Sequence, residues 1–232
     1  MCHVSEVRKS IQSFKPGSAV GMNSLRPQHL KDLTNENLGI NATNLLASLS
    51  SICDLMYQGN VPENVCPIVY GASLCGLNKK DGGIRPFAVG LVIRRLAAKI
   101  ACSRTTEKLS QMFYPLQLGF GIKSGVEIGV HSACRYLSFQ HNSTKVFLKI
   151  DFYNAFNMLD RGKMISAVLG NIPEFFPFLN QCYQSTTNLC FGNFIIPSPK
   201  SSPSESHINF NSVYFSFCFV FKELRYIGLN LR

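Results

Sequence analysis

The run Val146-Phe147-Leu148-Lys149-Ile150-Asp151 is an apolar strand pattern that stops on a carboxylate. An acid at the carboxyl end of a buried strand can anchor a divalent metal. Mg2+ takes one or two carboxylates and shares its other positions with substrate phosphates, and the carbonyl of Phe152 offers a further oxygen. With a second ion, Asp151 would belong to a phosphoryl-transfer site in which two metals clamp an in-line displacement. Asp151 also suits the N-cap of a helical turn over 154–160, whose first N–H groups need an acceptor. Taken alone, this stretch favours the cap.

A second group of chemically capable residues lies upstream. Lys79, Lys80 and Arg85 sit on or beside Lys80-Asp81-Gly82-Gly83, and Asp-Gly is a strong hairpin signal. Cations on such a turn can fold over a triphosphate, with Arg suited to paired phosphate contacts and Lys acting as a mobile point charge. A solvated basic tip is the plainer alternative.

The elements that must position these residues are legible in outline. "PGSAVGMNSLRPQHLKDL" (16–33) predicts a loop, then a short helix after Pro27. Leu45, Leu46, Leu49, Ile52, Cys53 and Met56 recur at helical spacing, with Thr43 or Asn44 as cap and Gly59 as stop. Residues 66–90 predict two β arms around the glycine turn. Residues 91–113 predict a helix bearing Arg94, Arg95, Lys99, Arg104 and Lys108. Another is predicted over 125–139, with Val126, Val130, Ala133, Cys134 and Leu137 on one face. The 145–151 strand, helices near 161–170 and 173–184, and a hairpin over 188–197 turning at Gly192-Asn193 complete the pattern. From Pro197 the chain becomes rich in Ser and Pro, then carries the aromatic run "FNSVYFSFCFVF" (210–221).

The 232 residues are enough for a sizeable core, and 46% hydrophobic with 16% charged is a globular composition. The net charge of +10 is concentrated: residues 79–163 hold 14 basic and 5 acidic side chains, a net +9. Such a field favours a polyanion, either nucleic acid or an acidic membrane surface, with a solvated basic face as the plain alternative. Nine cysteines form no Cys-x-x-Cys pair and no His lies at zinc spacing, which points to buried thiols and away from zinc or a disulfide scaffold. The apolar runs fall short of a membrane span, and the first residues lack a secretory h-region. The expectation is a soluble intracellular chain without a membrane partner.

Together these stretches resemble one family. "LKIDFYNAFNMLDR" (148–161) resembles the first palm motif of reverse transcriptases from non-LTR, LINE-like retrotransposons. "GLNKKDGGIRPFAVGLVIRRLAAKI" (76–100) is similar to their fingers hairpin and following helix, and "PGSAVGMNSLRPQHLKDL" to their N-terminal motif. "QLGFGIKSGVEIGVHSACRYL" (117–137) resembles the segment between fingers and palm. The resemblance runs in order over residues 10–197. It implies an α+β right-hand polymerase: fingers over 10–140, a truncated RRM-like palm over 141–197 and a divergent tail over 198–232.

The resemblance also implies roles. Asp151 would be the first metal-binding carboxylate, with Phe152 beside it and Mg2+ as cofactor. Lys79 and Arg85 would steady the triphosphate of a deoxynucleoside triphosphate. Phe156 would exclude a 2′-hydroxyl, unless it is simply a core ring. Lys80, Arg94, Arg95, Gln117 and Lys123 would meet the RNA template and DNA primer, with structural ion pairs as the alternative.

Two departures follow. Asn23-Ser24 stands where the family usually has Asp-Gly, which puts that turn in question. More seriously, the Gln-Gly turn and the Asp-Asp hairpin of the palm are absent, and after Asp160 the only acids are Glu174, Glu205 and Glu223. The tail "VFKELRYIGLNLR" resembles the helix beyond that hairpin, so the chain reads as a broken copy. Two Mg2+ ions held close together need several anionic ligands, so the expectation is a nucleotidyltransferase fold without activity.

Overall fold

A computed structural model of the chain describes residues 2–78, 80, 82–139, 161–184 and 186–198, the side chain of Arg85 excepted. Helix α1 (Val4–Gln12) begins on a reciprocal cap. His3 Nδ1 accepts the Ser5 N–H at 3.3 Å, and Glu6 Oε2 accepts the His3 N–H at 2.9 Å. Helix α2 (Pro27–Leu33) starts on the proline, whose missing N–H is no loss in a first turn.

The loop before α2 resolves the question raised by Asn23-Ser24. Asn23 Oδ1 accepts the Leu25 N–H at 3.2 Å, so the polar contact of the turn is made. Ser24 has φ +57°, a left-handed conformation that burdens any residue with a Cβ. Ser24→Gly should therefore raise unfolding free energy by about 0.5–1 kcal/mol, read from a higher urea midpoint at unchanged m-value.

Helix α3 (Ile40–Tyr57) starts earlier than Thr43 or Asn44. Thr43 does not cap; its hydroxyl donates back to the Gly39 carbonyl at 3.3 Å, inside the first turn. Gly59 follows the helix end as expected. Residues 66–71 depart from the predicted β arm: the Val65 and Cys66 N–H groups both reach the Pro62 carbonyl, at 2.9 and 3.2 Å, and wind the short helix α4 (Cys66–Val69). The strands proper are β1 (Ala72–Asn78) and β2 (Ile84–Gly90), antiparallel from Ala72↔Gly90 to Asn78↔Ile84 around the glycine turn.

The long helix α5 (Val92–Phe113) follows at once, then α6 (Gly125–Ser138). Further along the chain come α7 (Arg161–Asn171), a 3-10 turn (Pro173–Phe175) and α8 (Phe176–Gln184). Strands β3 (Thr187–Phe191) and β4 (Phe194–Ser198) form the expected hairpin at Gly192-Asn193. The two hairpins join into one sheet in the order β2-β1-β3-β4, with β1 and β3 parallel through Ala72↔Leu189 and Ser73↔Cys190. The fold is thus α+β.

One apolar cluster gathers Val7 and Ile11 of α1, Leu46 of α3, Leu96 and Ile100 of α5, Val168 of α7 and Phe178 of α8. Tyr57 meets Phe175 and Phe178 edge-on at 6.0 and 5.5 Å, a favoured aromatic geometry. Gln181 of α8 stitches the cluster to the chain on both sides of α4. Its Nε2 donates to Val61 O at 2.7 Å, and its Oε1 accepts from Tyr70 Oη at 2.8 Å. By contrast Val126, Val130 and Leu137 of α6 are exposed among the described residues. No helix among the described residues is long and apolar enough to cross a membrane.

Candidate nucleic-acid interface

The sequence-predicted site residues separate into three groups. Asp151, Phe152, Phe156 and Lys79 lie outside the described residues. Arg85 is placed by its backbone in β2, opposite Leu77 of β1. Lys80 is exposed in the turn between the strands. Each strand has seven residues, so the turn lies about 20 Å from the β2–α5 junction. Lys123 is exposed in the turn before α6. Gln117 is half-buried and its Oε1 accepts the Gly119 N–H at 2.6 Å, which shapes the loop leading to that turn.

The five cations of α5 have different fates. Arg94 is 6% exposed, and its guanidinium donates to the Tyr70 carbonyl at the end of α4 while lying 5.9 Å from the Tyr70 ring centroid. That is a structural contact across the base of the hairpin. Arg104 forms two hydrogen bonds to Glu6, at 3.1 and 2.7 Å, joining α5 to α1. Lys108 Nζ lies 3.0 Å from Glu174 Oε1 in the 3-10 turn, so one of the three acids that follow Asp160 is engaged by a lysine.

Arg95 and Lys99 are different. Both are half-buried, one helical turn apart, and both lie over Phe14, at 5.4 and 5.0 Å from its ring centroid. Arg95 also donates to Ala19 O at 2.8 Å, and Lys31 of α2 donates to Phe14 O at 2.7 Å. Burial lowers the pKa of Lys99, helped by the charges of Arg95 and Lys31, and burial lowers that of Arg95. Lys31 and the ring of Phe14 went unnoticed in the sequence. The only available signal was the four-residue spacing of Arg95 and Lys99.

The Glu6–Arg104 pair gives a pH signature. The hydrogen bonds from Arg104 hold the Glu6 carboxyl down at about 2, assisted by the His3 N–H. A carboxyl depressed by folding stabilises above its ordinary value and loses that contribution as pH falls towards the depressed one. The pair is about one-third exposed, so screening limits the effect. Between pH 5 and pH 2 the wild type should lose about 1 kcal/mol more than Glu6→Gln, measured by urea denaturation at each pH.

Among the described residues no three His, Cys, Asp or Glu side chains cluster as a metal site. The eight described cysteines are free, and burial pushes the Cys53 and Cys182 thiols up to about 12, which keeps them protonated. No family model matches the chain, and no curated protein matches it.

Proposed function

We propose that this chain is the fingers and partial palm of a non-LTR-type reverse transcriptase, that it binds nucleic acid through its basic segment, and that it does not polymerise. The carrying observation is the ordered run of four motifs over 16–161 followed by the loss of the Asp-Asp segment. The β1–β2 hairpin with exposed Lys80, leading directly into a cationic α5, suits a fingers role.

In this reading Asp151 and the Phe152 carbonyl face Mg2+, Lys79 and Arg85 face the triphosphate, and Phe156 faces the sugar. Lys80, Arg95, Gln117 and Lys123 follow the template and primer backbone. Arg94 instead holds the base of the hairpin. The donor set does not suit a pair of Mg2+ ions, because Glu174 pairs with Lys108 and only Glu205 and Glu223 remain after Asp160.

The test is twofold. On a primed RNA template with Mg2+ and deoxynucleoside triphosphates the chain should show no extension, and extension abolished by Asp151→Asn would overturn the inactivity. Affinity for single-stranded RNA should fall steeply as salt rises, because bound cations release counterions. A salt-independent affinity, or none, would remove the binding role.

A further inference from the structure

Arg95, Lys99 and Lys31 converge on Phe14 without any ion pair among the described residues. The ion pairs formed by basic side chains among the described residues are Arg8–Glu36, Arg104–Glu6 and Lys108–Glu174. Lys99 makes no hydrogen bond among the described residues either; its ammonium lies 5.0 Å from the Phe14 ring centroid. After burial itself, the charges of Arg95 and Lys31 depress the Lys99 pKa, while the neighbouring Cys102 sulfur works the other way. Three half-buried cations held together this way repel one another, and water screens them less than it screens fully exposed charges.

The backbone around them is fixed. The loop carrying Ala19 is bound by Arg95, and Gly21 presses on the β2–α5 junction so closely that a Cβ there would stand 3.0 Å from the Gly90 carbonyl. The cations are therefore pre-positioned by α2, the 14–21 loop and α5 together.

We propose that Lys31, Arg95 and Lys99 form a phosphodiester-binding notch for single-stranded nucleic acid at the base of the hairpin. This rests on the nucleic-acid reading above and adds a second contact point, distinct from Lys80 at the tip. The ring of Phe14 is 7% exposed, so it is closed to base stacking and serves as the floor for the cations. The notch consequently reads backbone charge and not base identity.

The experiment compares the full wild-type chain with a Lys31→Gln, Lys99→Gln double variant. Glutamine at 31 still carries a donor for Phe14 O, and circular dichroism checks the fold. Binding of a fluorescein-labelled oligouridylate is followed by anisotropy across a salt series. The slope of log affinity against log salt should become shallower by about 0.7 for each lysine removed. Lys99→Arg should restore the contribution of that position. Tripolyphosphate should raise the Tm of the wild type and leave that of the double variant unmoved. Equal salt slopes with salt-sensitive wild-type binding, or equal shifts with tripolyphosphate, overturn the notch and leave the broader reading standing. Absence of RNA binding by the wild type overturns both.

Discussion

Gly71→Ala should split the sheet at its centre. A Cβ at position 71 would lie 2.6 Å from the Pro67 carbonyl and 2.7 Å from the Asn188 carbonyl, both backbone oxygens that cannot rotate aside. The first belongs to α4 and the second to β3, so relief requires moving one hairpin away from the other. That junction is thin, with only Ala72↔Leu189 and Ser73↔Cys190 paired across it. Overpacking against backbone is expected to cost about 2–4 kcal/mol, near the upper end for a single substitution. Hydrogen exchange localises the effect: the amide of Cys190, on the β1-facing side of β3, should lose protection, while those of α3 and α5 keep most of theirs. Uniform loss across all elements would show that the hairpins do not open independently.

Arg94→Met should destabilise by about 3 kcal/mol, because it strips a buried carbonyl of its charged donor. Methionine approximates the length of the aliphatic stem, so lost packing is a minor part of the change. The Tyr70 carbonyl then stays buried beside β1 with one partner fewer. A lower urea midpoint with an unchanged m-value is the expected reading. Lys80→Ala supplies the contrast: on an exposed turn it should leave stability within about 0.5 kcal/mol and weaken RNA binding instead. If Arg94→Met kept full stability and lost RNA affinity, its guanidinium would belong to the interface after all.

Elements bounded by strong local chemistry were legible. Lys80-Asp81-Gly82-Gly83 announced the first hairpin, Gly192-Asn193 the second, and Pro27 the start of α2. What escaped depended on distant partners or on competing turns. The pairing of β1 with β3 is non-local and leaves no signature in either segment. The α4 turn is made by the Pro62 carbonyl, whereas the apolar composition of 66–70 suits a strand equally well. Helix α1 carried its signal in His3 and Glu6, but histidine is an uncommon cap and the segment is short.

The candidate site shows the same division. Sequence spacing put five cations on one helix, which made α5 basic. It could not tell which were already neutralised, because Glu6, Glu174 and the Tyr70 carbonyl come from α1, the 3-10 turn and the end of α4. Only the folded chain sorts Arg94, Arg104 and Lys108 from Arg95 and Lys99.

The parallel seam between β1 and β3 has a further consequence during synthesis. The first hairpin is complete about a hundred residues before the strand that will flank it. Throughout that interval the Ala72-Ser73 end of β1 lacks the partner it has in the folded chain, and its N–H and C=O groups are a template for pairing with any neighbouring nascent chain. A translation stop anywhere between α6 and β3 would make that interval permanent, so prematurely terminated products should accumulate in the insoluble fraction while the full chain does not.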